Sequence, residues 1–329
     1  MMSLNKLKQL LKTATPFMFN VIEHTLSYRD YFVVRHDKFL LGIPKFNPLP
    51  VMLVAHIDTV HKEIPSVVYH DQDQGVLWSP CGLGADDRAG VYALLSLSKQ
   101  YKPYLLFTDE EESGGGGAYN FIDVYPEAFG DIKMIIQMDR HGTKDSVYYD
   151  NDSDDFQTYV DSFGFATEIG TFSDISIICP EWEVNGVNLS VGYFKEHTSS
   201  EFLVLGFLYD TIKKVSAILS QDIPKYEYRE YISLYRGYLN NTVSYSDRRE
   251  CDMCGYLSYD LIVCEDGFHI CEECFSTTMY ECEGCGNIVL YDACDNINAE
   301  DNGYCDECWK EFTEGDEKQF KLYPLKGES

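Results

Sequence analysis

Short runs of apolar residues alternate with longer amphipathic segments over the first two thirds of the chain. The runs are rich in β-prone residues and are bounded by turn residues or by charge. They lie at 51–55, 104–108, 134–138 and 187–193. Helical periodicity is found at 90–100 and again at 202–221, where a predicted helix ends the region. This alternation predicts an α/β fold in which a mostly parallel or mixed sheet carries helices on both faces.

The N-terminal segment has the pattern of an amphipathic helix. Its apolar face is formed by Leu4, Leu7, Leu10 and Leu11, and most of the nearby lysines lie off that face. The likeness to a transit peptide is weak, and the continuous apolar core of a signal peptide is missing. We expect this helix to lie on the first domain.

Charge narrows the range of partners. The chain has 329 residues and a formal net charge of −28, which repels nucleic acid and anionic membranes. No apolar run approaches membrane-spanning length. We therefore expect neither nucleic acid nor a membrane as a partner. Basic substrates, metal ions and proteins suit this charge better.

The cysteines are concentrated near the C-terminus. Cys81 and Cys179 stand alone in the first 250 residues, and the other ten of the twelve follow. They form two repeats, each with CxxCG, a Tyr-Asp pair, a single Cys and a closing CxxC, which predicts two structural zinc sites. The predicted ligands are Cys251, Cys254, Cys271, Cys274, Cys282, Cys285, Cys305 and Cys308. A cysteine-poor large domain beside thiolate sites indicates a reducing, cytoplasmic location.

Two sequential zinc ribbons or knuckles fit the repeat best. An interleaved RING-like arrangement that uses Cys264 and His269 leaves the last CxxC pair without a site. From Asp247 onward the sequence holds 21 acidic and six basic residues, a balance of −15. Because phosphate binding depends on Lys and Arg, we expect this zinc module to face a protein partner rather than nucleic acid.

These patterns divide the chain into four parts. Residues 1–222 form the α/β domain and 223–246 a Tyr-rich connector. Residues 247–311 form the double zinc module, and 312–329 a charged tail.

Histidines and acids follow the apolar runs of the α/β domain. His56 and Asp58 follow the first run, and four acids, Asp109 to Glu112, follow the second. Asp139 ends the third run, and the fourth leads into His197. In open α/β sheets ligand sites form at the carboxyl ends of the strands, so these side chains should converge. Any one of them alone would more often be a solvated or packed residue.

The motifs resemble those of the co-catalytic dizinc hydrolases, which include zinc aminopeptidases, peptidase T and acetylornithine-deacetylase-type enzymes. They are HxDTV, GxGADDxAG, EExGxxGA, a strand that ends in Asp and a late His, and they span about residues 50 to 205 in the family's order. The resemblance implies two catalytic divalent metals, zinc or else cobalt or manganese. The implied ligands are His56, Asp86, Glu112, Asp139 and His197, with Asp86 as the bridge.

The resemblance also implies roles for two further acids. Asp58 would accept the second ring N–H of His56, and Asp87 would support the site or cap the following helix. Alignment on the glycines makes Glu111 the general base and Glu112 the ligand. A rival register makes Glu110 the base and Glu111 the ligand, but it misplaces the first glycine.

The leading interpretation is a metal-dependent hydrolase of small peptides, an aminopeptidase or a di- or tripeptidase. Only 58 positions separate Asp139 from His197, which leaves no room for the lid domain of many relatives. An alternative is an N-acyl amino acid deacylase. A different class is an inactive scaffold that carries the zinc module to a protein partner.

Overall fold

The computed structural model divides the chain into two units, Met1–Leu239 and Asn240–Ser329. It describes residues 2–229 except 150, 152 and 171, together with the backbone of six short strands in the second unit. The predicted zinc-binding cysteines, the charged tail and most of the connector lie outside the described residues.

The first unit is built on an eight-stranded sheet with the order β1-β2-β6-β3-β7-β10-β8-β9. The bounds of the first unit's strands are β1 Tyr31–Arg35, β2 Phe39–Pro44, β3 Val51–His56, β4 Tyr69–Asp71, β5 Val76–Trp78, β6 Tyr104–Thr108, β7 Met134–Arg140, β8 Asp145–Val147, β9 Ala166–Thr167, β10 Gly186–Ser190, β11 Tyr193–Phe194 and β12 Phe202–Val204. The four central strands β6, β3, β7 and β10 are mutually parallel, and β2 and β8 flank them antiparallel.

Helices cover both faces of this sheet. Their bounds are α1 Leu4–Leu11, α2 Thr15–Ser27, α3 Ala85–Leu97, α4 Gly116–Val124, α5 Asp154–Asp161, α6 Asp174–Trp182 and α7 Leu205–Leu219. Alternate residues of β3 enter two separate cores: Leu53 packs with α1, α2, α3 and α7, whereas Val54 packs with α4 and α6. All six residues of β3 are buried, which explains why this strand reads as one apolar run. The predicted α/β fold, with a mostly parallel or mixed sheet between helices, is confirmed.

Two predicted elements are divided differently in the structure. The run 187–193 supplies β10 and, after a turn at Gly192, the short strand β11. The segment 202–221 begins with β12 and becomes helical only at Leu205. Both short strands join a second, four-stranded antiparallel sheet with the order β11-β12-β5-β4. This sheet connects the segment around His197 to the segment that precedes α3.

The second unit contains three antiparallel strand pairs. They are β13 Arg249–Glu250 with β14 Leu257–Ser258, β15 Ile262–Val263 with β16 His269–Ile270, and β17 Met279–Glu281 with β18 Ile288–Leu290. In the sequence, the first and third pairs each enclose one CxxCG segment. The two zinc sites stay a prediction.

Among the described residues, no helix combines the length and apolarity needed to cross a membrane. The N-terminal helix instead packs on its own domain, as predicted. Leu7, Leu10 and Leu11 are fully buried, and α1 contacts α3.

Replacing Leu10 by Ala should therefore lower the free energy of unfolding by about 2–5 kcal/mol, since it removes a fully buried side chain and leaves a cavity. Phe17→Ala on α2 is the matched control, because that side chain is 62% exposed and its loss should cost no more than about 0.5 kcal/mol. Urea unfolding followed by far-UV circular dichroism measures both changes. Equal effects of the two variants would contradict the placement of α1.

Candidate metal centre

The residues that sequence analysis singled out lie at one edge of the large sheet. His56 is the last residue of β3, and Asp139 lies near the end of the neighbouring β7. The four acids follow β6 on the other side of β3. Asp86 lies at the start of α3, and His197 lies in the turn between β11 and β12. The carboxyl ends of three adjacent parallel strands therefore supply most of the site.

Asp86 lies between the two histidines. Its Oδ1 is 3.2 Å from Nε2 of His56, and its Oδ2 is 3.2 Å from Nε2 of His197. The same His56 nitrogen is 3.2 Å from Oδ1 of Asp139, and the same His197 nitrogen is 3.0 Å from Oε2 of Glu112. The site thus has two halves, each with one imidazole and one carboxylate, and Asp86 faces both.

Asp58 connects β3 to the acidic segment. Its Oδ1 is 3.1 Å from Nδ1 of His56. It also accepts hydrogen bonds from the backbone N–H groups of Glu111 at 3.2 Å and Glu112 at 3.1 Å. Burial alone would raise the pKa of Asp58, yet these hydrogen bonds hold it below its ordinary value. The Asp58 carboxylate therefore fixes the histidine ring and the backbone of the two adjacent acids together.

The adjacent acids point in different directions. Glu110 has a left-handed backbone, with φ of 63°, and its carboxylate pairs with Lys38 at 2.5 Å. Glu111 is largely buried, and its Oε2 lies 3.9 Å from Nε2 of His56. Glu112 reaches the opposite half of the site. The geometry thus places Glu111 and Glu112 inside the site, and it places Glu110 in an ion pair outside it.

The glycines allow this turn. A Cβ at Gly117 would come within 2.5 Å of the Asp109 carbonyl oxygen, so only glycine lets α4 begin so close to the end of β6. This close approach explains the last of the four glycines that follow the acidic run.

The concentration of buried carboxylates shifts the protonation of the site. Burial raises the pKa of Asp139 to about 7. Burial also raises the pKa of Glu111 well above its ordinary range, and the carboxylates of Asp139, Asp174 and Asp86 add to that rise. Burial by itself would lower the pKa of His56, but the surrounding carboxylates raise it. The metal-free site therefore retains protons that a cation can replace.

The residues that hold Asp139 were not predicted from the sequence. Asn188 accepts the Asp139 backbone N–H at 2.9 Å, and Gln137 donates to Oδ2 at 3.1 Å. Ser173 also donates to Oδ2, and Tyr193 donates to Oδ1. Gln137 and Asn188 are polar residues inside otherwise apolar runs, and that is the signal by which they could have been found.

Asp87 caps the regular part of α3, which begins after the non-helical backbone of Asp86 and Asp87. It is fully buried, and its Oδ1 accepts the backbone N–H of Gly90 at 2.9 Å. This contact is the helix cap that sequence analysis offered for Asp87. An oxygen of Asp87 also belongs to a group with ligand atoms of His56 and Asp139 in which all distances are within 4.8 Å.

The residues of the site fit divalent metal ions. Ligand atoms of His56, Asp86 and Glu112 lie within 4.8 Å of one another. Oε1 of Glu112 is buried without a hydrogen-bond partner among the described residues, so a cation there would satisfy it. Imidazole and carboxylate ligands together suit zinc, cobalt or manganese.

Comparisons with known proteins agree with this geometry. Residues 42–173 match the model of Peptidase family M28. This span includes His56, Asp86, Glu112 and Asp139 but not His197. No curated protein matches the chain. The match supports a peptidase function of the metallopeptidase kind and the co-catalytic peptidase superfamily.

Two solved structures share the fold. The aminopeptidase PepT from Bacillus cereus ATCC 10987 has 14% identity and a TM-score of 0.54, over 65% of this chain and 96% of that one. A tripeptidase from Staphylococcus aureus subsp. aureus Mu50 has 16% identity and a TM-score of 0.54, over 66% and 96%. Identities this low show a common fold.

The geometry predicts an unusually basic histidine in the metal-free protein. Hydrogen bonds to Asp86 and Glu112 raise the pKa of His197 to about 11. Its ring should therefore stay protonated from about pH 6 to about pH 9, whereas an ordinary histidine loses its proton near pH 6.5. NMR titration of the ¹⁵N-histidine-labelled, metal-free chain measures this.

Glu112→Gln should lower the His197 pKa, because the amide carries no charge. Glu110→Gln is the control, since Glu110 pairs with Lys38 and should leave His197 unchanged. A His197 ring that titrates near pH 6.5 in the unsubstituted protein would contradict the described contacts.

Proposed function

We propose that the first unit is a metal-dependent aminopeptidase or di- or tripeptidase that uses two divalent ions. The observation that carries this proposal is the position of Asp86, which turns one carboxylate oxygen toward each half of the site. His56 and Asp139 would hold one ion, and Glu112 and His197 the other. A carboxylate shared between two such pairs is the arrangement that a two-ion centre needs.

The bound ions would acidify a shared water and polarise the substrate carbonyl. The chain itself supplies the proton transfer. Glu111 lies beside His56 without belonging to either ligand pair, so its carboxylate is free to take a proton from the water and return it to the leaving amine. Burial raises the pKa of Glu111 above that of an ordinary carboxyl, and a more basic carboxylate accepts a proton more readily.

Electrostatics favours a substrate with a free α-amine. The carboxylates of Asp86, Glu111, Glu112 and Asp139 converge on one site, where they create a negative field. Two divalent ions offset only part of this field, so a cationic terminus is attracted to it. The alternative of N-acyl amino acid deacylation finds no support in the comparisons. The complete set of converging side chains speaks against an inactive scaffold.

Glu111→Gln should reduce kcat by about 10²-fold or more and leave metal binding intact, because the amide keeps the shape but cannot take a proton. Hydrolysis of tripeptides with added zinc, cobalt or manganese, together with metal analysis, measures both properties. Glu110→Gln is the matched control and should stay within about threefold of the unsubstituted enzyme, since an exposed ion pair with Lys38 contributes little. Inactivity of Glu110→Gln, with metal loss in Glu111→Gln, would favour the rival register.

Acetylation of the substrate amine should lower kcat/KM by roughly tenfold or more, which corresponds to the loss of about 1.4 kcal/mol of attraction. The measurement compares a tripeptide with its N-acetylated form. The C-terminally amidated tripeptide is the control, because it changes the opposite terminus. Equal or faster cleavage of the acetylated peptide would instead assign the site to the deacylases.

A further inference from the structure

A buried carboxylate outside the proposed ligand set contacts the segment that carries Asp86. Glu201 follows His197 by four positions and immediately precedes β12. Its side chain is 0% exposed, and no ligand pair includes it. A buried charge persists only when it is well hydrogen-bonded. The partners of Glu201 therefore indicate what it does.

Four successive backbone N–H groups donate to this carboxylate. Leu83 and Gly84 donate to Oε2 at 3.1 and 2.6 Å, and Ala85 and Asp86 donate to Oε1 at 2.7 and 3.0 Å. Gly84 has φ of 65°, a left-handed conformation that lets consecutive N–H groups converge on one anion. The segment leads directly into α3, whose N-terminal end attracts negative charge.

Two cationic or donating side chains complete the surroundings. Nε2 of His61 lies 2.8 Å from Oε2 of Glu201. Arg88, which is 1% exposed, lies close enough for its charge to interact with those of Glu201 and Asp58. Glu201 thus meets hydrogen-bond donors at both oxygens and has the positive charge of Arg88 nearby.

These contacts fix the backbone of Asp86 directly. The last of the four N–H groups belongs to Asp86 itself, and Glu201 also shares a short segment with His197. From this arrangement we infer that Glu201 is the positioning residue of the two-ion site: it holds the Leu83–Asp86 backbone so that the Asp86 carboxylate faces both His56 and His197. The inference rests on the proposed function, since it concerns the geometry of that metal pair.

The chemistry of the contacts requires a carboxylate. All four backbone partners are donors, so both oxygens must accept. In Glu201→Gln, one amide N–H₂ group would face two backbone N–H donors, and that half of the contact would be lost. Since partners that orient metal ligands typically contribute 10–100-fold to affinity, we expect Glu201→Gln to weaken metal binding by roughly that factor.

Manganese binding to the full-length chain tests the inference. Mn²⁺ prefers carboxylate and imidazole ligands over the thiolates of the C-terminal region. Loss of the six-line EPR signal of free Mn²⁺ measures affinity, and a spin-coupled signal reports two ions that share a bridge. Glu201→Gln should bind Mn²⁺ about 10–100-fold more weakly and lose the coupled signal.

Asp161→Asn is the control for the change from acid to amide. Asp161 accepts hydrogen bonds from Ser146 and Thr167 away from the site, so this variant should keep both properties. If circular dichroism shows that Glu201→Gln is not folded, Glu201→Asp is used instead. Glu201→Asp keeps the charge but moves the carboxylate oxygens back by one methylene, so weaker Mn²⁺ binding and loss of the coupled signal are again expected.

The outcomes separate the two ideas. If the unsubstituted chain binds no coupled pair of ions, the proposed function fails whatever Glu201 does. If it binds the pair and the folded Glu201 variants bind it equally well, the positioning role is overturned. If Asp161→Asn causes the same losses, the effect is a general loss of stability and the positioning role is likewise overturned.

Discussion

The placement of Asp86 between two imidazoles is the constraint on which the first unit depends. Its two oxygens must face His56, at the end of a central strand, and His197, in a turn of the smaller sheet. These two elements are brought together by β12, which pairs with β5 in the segment that leads from His56 to Asp86. The smaller sheet therefore acts as the connection that fixes the distance between the two halves of the site.

A cluster of buried acids is stable only when something offsets its charge. In the metal-free protein the offset comes from protons on the histidines and from the raised pKa values of Asp139 and Glu111. Backbone N–H groups contribute as well: two bind Asp58, and four bind Glu201. The carboxylates that repel one another in the metal-free protein are the same groups that would bind divalent cations. Their mutual repulsion and their affinity for metal therefore have the same cause, the concentration of negative charge.

Sequence periodicity could predict the central strands because each is buried on both faces and reads as one apolar run. The convergence of the side chains at the strand ends could be predicted because parallel strands place their carboxyl ends together. Glu201 could not be found in this way. Its partners are backbone N–H groups more than a hundred positions earlier, and a backbone donor carries no residue-specific signal. The short strands β4, β5 and β12 were missed because three residues are too few to show a period.

The two halves of the site differ in their access to solvent. Within the described part of the chain, the His56 side chain is 1% exposed, whereas that of His197 is 53% exposed. Between Asp139 and His197 the chain forms β8, α5, β9, α6, β10 and β11. Of these, β8, β9 and β10 extend the large sheet, and Ser173 and Asn188 support Asp139. The half of the site that holds His56 and Asp139 is thus the buried one. The half of the site that is open to solvent is therefore the one that holds His197, whereas the Asp86 and Glu112 side chains beside it are only 9% and 10% exposed.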